Sequence, residues 1–174
     1  MKILDYFYKL ILNQKNKKHS MESSDKHIDT DLYSRQIGTF GIETMGKLMK
    51  MKVVIAGLRG LGVETAKNLI LAGPEQVLIY DPDLVRINDL GANFYVDEAS
   101  VGKLTRAQAC VNKLQELNEY VRVILIESEE ELLNTIQKGI HVFCQTELIL
   151  GGKYLNPETI NQLCREKNVG YISS

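Results

Sequence analysis

From Lys52 onward, short apolar runs alternate with stretches in which apolar residues recur every three or four positions. That alternation of period two or less with period near 3.6 predicts strands alternating with helices. Lys52 to Ala56 is a β-branched run that stops at Gly57. Glu64 to Leu71 carries strong helix formers and is stopped by Gly73 and Pro74. "QVLIY" is the next strand, closing at Asp81, and the step from Gly62 to Asp81 has the size of a right-handed βαβ unit, so the two strands are expected to be parallel. After a long loop, "DPDLVRINDLGANFYVDEASVG", a helix is expected with Leu104, Ala107, Val111 and Leu114 on one face. The strand "RVILI" follows, then a short helix marked by Leu132, Leu133 and Ile136, the buried strand "IHVFC", a helix through Ile160 and Leu163, and a last strand "VGYIS". Upstream, "FGIETMGKLMKM" spaces Ile42, Met45, Leu48 and Met49 along one helix face ahead of the first strand. The fold class that results is α/β, a doubly wound and mainly parallel sheet with helices on both faces.

The first thirty residues break this pattern. "MKILDYFYKLILNQKNKKHS" is apolar but interrupted by Asp5 and Lys9, and too short to span a bilayer. A short amphipathic helix, an organelle-targeting piece and an upstream extension before Met21 all remain open for it. Asn13 to Thr30 is polar and charged with no apolar period, so residues 1–30 read as a flexible or targeting extension and 31–174 as one domain. The chain ends with its last strand, and the domain is expected to be incomplete at its C-terminal end. Lys and Arg number 21 against 22 Asp and Glu, a net charge of -1, which argues against nucleic acid or a membrane as partner. The three cysteines, Cys110, Cys144 and Cys164, are widely spaced and suit neither a disulfide framework nor a zinc site. Cys144 and Cys164 read as small buried hydrophobes, reduced in an intracellular protein.

Chemistry is concentrated at "VVIAGLRGLGVETAKNLILAG". In a Rossmann-like nucleotide-binding turn the first glycine makes the bend, the second admits phosphate and the third lets helix and strand pack. Gly57 and Gly62 fill the outer roles, but the middle position is Arg59, followed by Gly60. The guanidinium could grip a phosphate, fill the site from within, or lie on the surface of a structural turn. Asp81 ends the second strand, where a carboxylate could accept from a ribose or simply open a turn before Pro82. For an NAD-binding oxidoreductase the catalytic groups are missing: no Tyr has a Lys four residues later, and His141, inside a strand pattern, reads as a structural histidine.

Several segments then converge. "DLYSRQIGTFGIETMGKL", "GLRGLGVETAKNLILAG", "YDPDLV", "LGANFYV", "VGK" and "LQELNEYVRV", in this order, resemble the amino-terminal half of ubiquitin-activating enzymes over residues 31–174. The resemblance implies an adenylation-domain fold, truncated here, and two related halves in the full enzyme. The first half is inactive; the second binds ATP and magnesium and adenylates ubiquitin. Active halves carry glycine at the position of Arg59, and an arginine that touches phosphate at the position of Ala92, within Gly91, Ala92, Asn93 and Phe94. Their catalytic lysine falls on Thr105, with Arg106 and Lys103 beside it, and a second arginine falls on Asp97. Asp81 and Glu147 survive at the ribose and metal positions, but one glutamate does not make a magnesium site. Each cation lost from such a site should cost several kcal/mol, at about 1.4 kcal/mol per tenfold in rate.

The resemblance therefore implies an inactive half with a degenerate nucleotide site at Gly57, Arg59, Gly60, Gly62 and Asp81, no cofactor of its own, and no metal. It also implies a role for "YSRQ": its arginine, here Arg35, reaches as a finger into the ATP site of the active half. The other reading of Arg35 is a helix-leading arginine paired with a local carboxylate. Expected partners are the active half and, through the full enzyme, ubiquitin and ubiquitin-conjugating enzymes, in cytoplasm and nucleus unless residues 1–20 target an organelle. Small subunits of the SUMO and NEDD8 activating enzymes share the inactive fold and form the alternative, with the oxidoreductase third.

Overall fold

The computed structural model describes residues 31–148 and 156–174. The reading of residues 1–30 lies outside them. The chain divides into two compact units, at Lys50 and Met51. The described part of the first holds two short helices, α1 (Ser34–Phe40) and α2 (Ile42–Leu48), joined at Gly41 with φ +80°. Of the residues spaced for one face of α2, Met45 and Leu48 are buried, but Ile42 is 60 % exposed. The face is narrower than the spacing predicts, because Ile42 occupies the helix's first position, just after the Gly41 bend, rather than an interior turn.

The second unit is the α/β body. Its elements are β1 (Lys52–Ala56), α3 (Gly60–Ala72), β2 (Gln76–Tyr80), α4 (Arg106–Gln115), β3 (Arg122–Leu125), α5 (Glu129–Gly139), β4 (Val142–Gln145), α6 (Pro157–Glu166) and β5 (Gly170–Ser173). All five strands are parallel, in the order β3-β2-β1-β4-β5. The expected α/β sheet is therefore present.

Burial follows from strand alternation. Val54, Ala56, Leu78, Tyr80 and Phe143 point to one face and cluster with Leu132 and Ile136 of α5 and Ile160 and Cys164 of α6. Val53, Ile55, Val77 and Ile79 point the other way, where α3 and α4 bury Val63, Ala66, Leu69, Ile70, Ala107, Cys110 and Leu114. Both faces are thus covered, and β1 is apolar at every position after Lys52. Leu104, which the periodicity places on the α4 face, precedes the helix and is 42 % exposed; its carbonyl accepts from Val85 N–H instead. Cys110, Cys144 and Cys164 are free and buried, and burial pushes each thiol up to about 11. They are core hydrophobes, as expected of Cys144 and Cys164. Among the described residues no helix is long and apolar enough to cross a membrane.

His141 is the structural histidine that the strand pattern suggests. Its Nδ1 accepts the backbone N–H of Lys52 at 3.0 Å, and burial lowers its pKa below the ordinary 6.5. Folded His141 takes up a proton less readily than the unfolded chain does. Its contribution to stability is therefore full above about pH 6.5 and is lost as pH falls through the depressed value. Urea unfolding at pH 7.5 and 5.5 should show this loss, and the His141→Gln variant should show less of it.

Candidate functional site

The strand order reverses at β1. The chain steps from β1 to β2 and β3 on one side, then crosses back to place β4 on the other. In open α/β sheets a crevice opens outside the carboxyl ends of the strands at this point. The loop after β1 (Gly57, Leu58, Arg59) and the loop after β4 (Thr146, Glu147) meet there.

Backbone geometry explains the glycines. Gly57 has φ +95°, and a Cβ there would stand 2.9 Å from Glu147 Cβ. A Cβ on Gly62 would lie 2.0 Å from the Gly57 carbonyl oxygen, so α3 packs on the turn with no room for a methyl group. At Gly60 it would meet Ala92 at 3.3 Å. The turn's own polar groups are already bonded. Thr146 Oγ1 donates to the Gly57 carbonyl at 2.8 Å, Leu58 N–H donates to Asp81 Oδ2 at 2.8 Å, and Asn93 Nδ2 donates to the Leu58 carbonyl at 2.9 Å.

Arg59 is the N-cap of α3, offers it no side-chain cap, and turns its guanidinium to Glu147, with Nε 2.8 Å from Oε1. Asp81, 3 % exposed, has both oxygens engaged: Oδ2 with Leu58 N–H and Oδ1 with Asp83 N–H at 3.0 Å. Burial pushes its carboxyl above the ordinary range, against the pull of Leu58 N–H and Arg106. Glu147 is raised too, again by burial, with Arg59 pulling it back.

Sequence reasoning did not anticipate the centre of this network. Arg106, offered beside Thr105 as a stand-in for a lysine, is completely buried at the start of α4. Its Nε donates to Asp89 Oδ2 at 2.8 Å, and Nη1 lies 3.4 Å from Asp81 and from Asp83 and 4.0 Å from Glu147. Burial alone would lower its pKa, but Asp89, Asp81 and Glu147 more than offset this and hold it above the ordinary value. Nη2 is buried with no hydrogen-bond partner. Only the acidic spacing Asp81, Asp83, Asp89 could have signalled a buried cation, and nothing in it says which one.

The remaining predicted positions are dispersed. Thr105 caps α4, accepting from Gln108 N–H at 3.2 Å. Asp97 caps a 3₁₀ turn through Ser100 N–H at 3.0 Å and pairs with Lys113 at 3.5 Å. Lys103 is exposed, and Phe94 is 92 % exposed. Arg35 belongs to the first unit, where it is exposed in the first turn of α1 and its carbonyl accepts from Thr39 Oγ1 at 2.9 Å. A ribose would have to take Asp81 from Leu58, Asp83 and Arg106, and magnesium would have to take Glu147 from Arg59. Among the described residues, no group of three or more His, Cys, Asp or Glu is placed to hold a metal. These residues do not fit a magnesium-nucleotide pair as they stand.

The model of the ThiF family matches residues 33–152. This chain belongs to the ThiF family. Among curated relatives, it is 38% identical over 148 residues to ubiquitin-like modifier-activating enzyme 1 of Dictyostelium discoideum, covering 84% of this chain and 14% of the relative. It is 50% identical over 122 residues to ubiquitin-activating enzyme E1 2 of Arabidopsis thaliana, covering 69% of this chain and 11% of that enzyme. The chain thus spans a small part of these relatives, and the resemblance read from the sequence motifs holds. In fold it is similar to the E. coli tRNA N6-threonylcarbamoyladenosine dehydratase TcdA in complex with AMP, with TM-score 0.69, 16% identity, and coverage of 88% of this chain and 61% of that one. It is also similar to E. coli MccB, with TM-score 0.65, 21% identity, and coverage of 82% and 44%. This chain and these two solved structures share the Rossmann-type adenylation fold.

Proposed function

We propose that this ThiF domain is the non-catalytic adenylation half of a ubiquitin-activating enzyme, a scaffold that pairs with an active half and donates Arg35 to its ATP site. The observation that carries the reading is internal pairing in the switch-point crevice. Asp81 is bound by Leu58, Asp83 and Arg106, and Glu147 by Arg59. Positions that would need cations for adenylyl transfer hold Ala92, Thr105 and Asp97 instead. Similarity to ubiquitin-activating enzymes supports ubiquitin, ATP and ubiquitin-conjugating enzymes as what the whole assembly handles.

Arg35 suits donation because it is exposed at the start of a helix, and among the described residues it makes no ion pair. A guanidinium aimed at a phosphate elsewhere stabilises negative charge there without needing a nucleotide site of its own. Titration of magnesium-ATP into the isolated chain should give no heat. With a separately expressed active half, Arg35→Ala should slow ubiquitin adenylation by on the order of 10²-fold, the loss expected for one charge-stabilising donor. Equal rates with and without Arg35 would refute the donated-finger role, and heat from the isolated chain would refute the inactive site.

A further inference from the structure

In the crevice Arg59 is paired with Glu147, and two different properties of Arg59 could keep an anion out: its bulk or its bond. Geometry separates them. Arg59 is half exposed, with a side chain 50 % accessible, so it does not fill a cavity as a buried plug would. Glu147, 21 % accessible, sits deeper. Its Cβ is what a side chain on Gly57 would strike, and its Oε2 lies 4.0 Å from Nη1 of the buried Arg106. The glutamate thus reaches over the glycine turn and stands between two guanidinium groups.

Three features mark that position as a seat for negative charge. α3 is a thirteen-residue helix with no acidic residue in its first turn and no side-chain cap at Arg59, so the carboxylates beside its positive end come from other elements: Asp81 on Leu58 N–H, and Glu147 on Arg59. Arg59 presents a forked donor at that end. Arg106, fully buried at the start of α4, brings Nη1 to 4.0 Å from Glu147 Oε2, so a second guanidinium stands behind the carboxylate.

We infer that Glu147 is the internal ligand of this turn, a carboxylate latch that occupies the anion seat and holds Arg59 across it, so that removing the carboxylate exposes a site for an oligophosphate. This rests on the reading of the domain as an inactive half, and it adds the residue that keeps the site shut. The latch makes a prediction opposite to that of simple bulk. Loss of Arg59 alone leaves Glu147 in place, negative and near the helix end, and the seat stays closed to phosphate. Loss of the Glu147 charge frees Arg59 to turn its fork to the incoming anion.

The test is titration of the full chain with inorganic tripolyphosphate and, separately, magnesium-ATP, in wild type and in Glu147→Gln, Arg59→Ala and the double variant. Thermal melting of each variant without ligand reports folding. Wild type and Arg59→Ala are expected to show no binding. Glu147→Gln should bind tripolyphosphate at least about tenfold more tightly than wild type, with affinity that falls as salt rises, and the double variant should lose the gain. A folded Glu147→Gln as silent as wild type would overturn the latch and leave the inactive-half reading standing. Binding by Arg59→Ala would also overturn it, since bulk would then be the barrier. Binding by wild type would refute both readings. Should Glu147→Gln fail to fold, the charge exchange Arg59→Glu with Glu147→Arg decides the matter: restored folding with no phosphate binding supports the pair, and a gain in binding overturns it.

Discussion

Replacing Arg106 by methionine should cost this domain about 3–5 kcal/mol at neutral pH, the loss expected when one partner is removed from a buried ion cluster. The side chain is completely buried and is the cation that Asp81, Asp83 and Asp89 share. Methionine fills much of the volume, so the loss is electrostatic: carboxylates remain in a region of low dielectric without their counter-charge. A domain has about 5–15 kcal/mol of stability in all, so urea unfolding should show a large drop in midpoint. Asp81, already pushed up by burial, would lose the guanidinium that pulls it down. Its charged form would then be disfavoured, and the destabilisation should shrink as pH falls through its raised value. Adding Asp89→Asn to Arg106→Met should recover part of the loss, because the two changes remove opposite ends of one 2.8 Å bond. Arg106→Lys should rescue poorly, since an ammonium cannot reach three carboxylates with a planar fork.

The second large effect is expected from a single methyl group. Gly62→Ala places a Cβ 2.0 Å from the Gly57 carbonyl oxygen, 2.7 Å from Thr146 Oγ1 and 2.8 Å from the Gly57 carbonyl carbon. The obstacles include backbone atoms, which do not rotate aside. α3 would have to withdraw from β1, straining the bonds of Thr146 Oγ1 to Gly57 O at 2.8 Å and Ala56 O at 3.2 Å. Elsewhere in a helix, glycine to alanine gains about 1 kcal/mol. Here the overlap should reverse that sign and destabilise by about 3 kcal/mol or more. Gly91→Ala is the control, because nothing lies within 4 Å of its added Cβ. Thermal melts of the two variants should therefore diverge, with Gly91→Ala close to wild type.

These two residues also show what a single sequence can and cannot convey. Gly62 is legible: a glycine five residues after Gly57, at a strand-to-helix turn, has a known geometric reason, and the structure supplies the contact that explains it. The strands are legible for a similar reason, since "KVVIA" and "QVLIY" are buried on both faces and read as apolar runs. Arg106 is not. Its partners are 17, 23 and 25 residues away in chain, on a loop with no period, and only folding decides which cation meets them. Helical periodicity put Leu104, Ala107, Val111 and Leu114 on the buried face, yet Arg106 is more buried than Leu104. Likewise, Arg59 announced itself as an anomaly in the motif, but its partner did not. Glu147 follows a strand that is distant in sequence, and its position beside the turn depends on the strand order.

That strand order sets a timetable for biosynthesis. Thr146 and Ala56, joined across the crevice, are 90 residues apart in the chain. At ribosomal rates of about 5–20 residues per second, β1 emerges roughly 5 to 20 seconds before β4 exists to pair with it. During that interval one edge of the most apolar strand lacks its neighbour, an arrangement prone to association with other chains. Arg59 meanwhile has no Glu147 to meet. The nascent chain therefore passes through a period in which its central strand lacks one neighbour and Arg59 lacks its carboxylate partner, and both conditions end together when β4 and the loop after it are made.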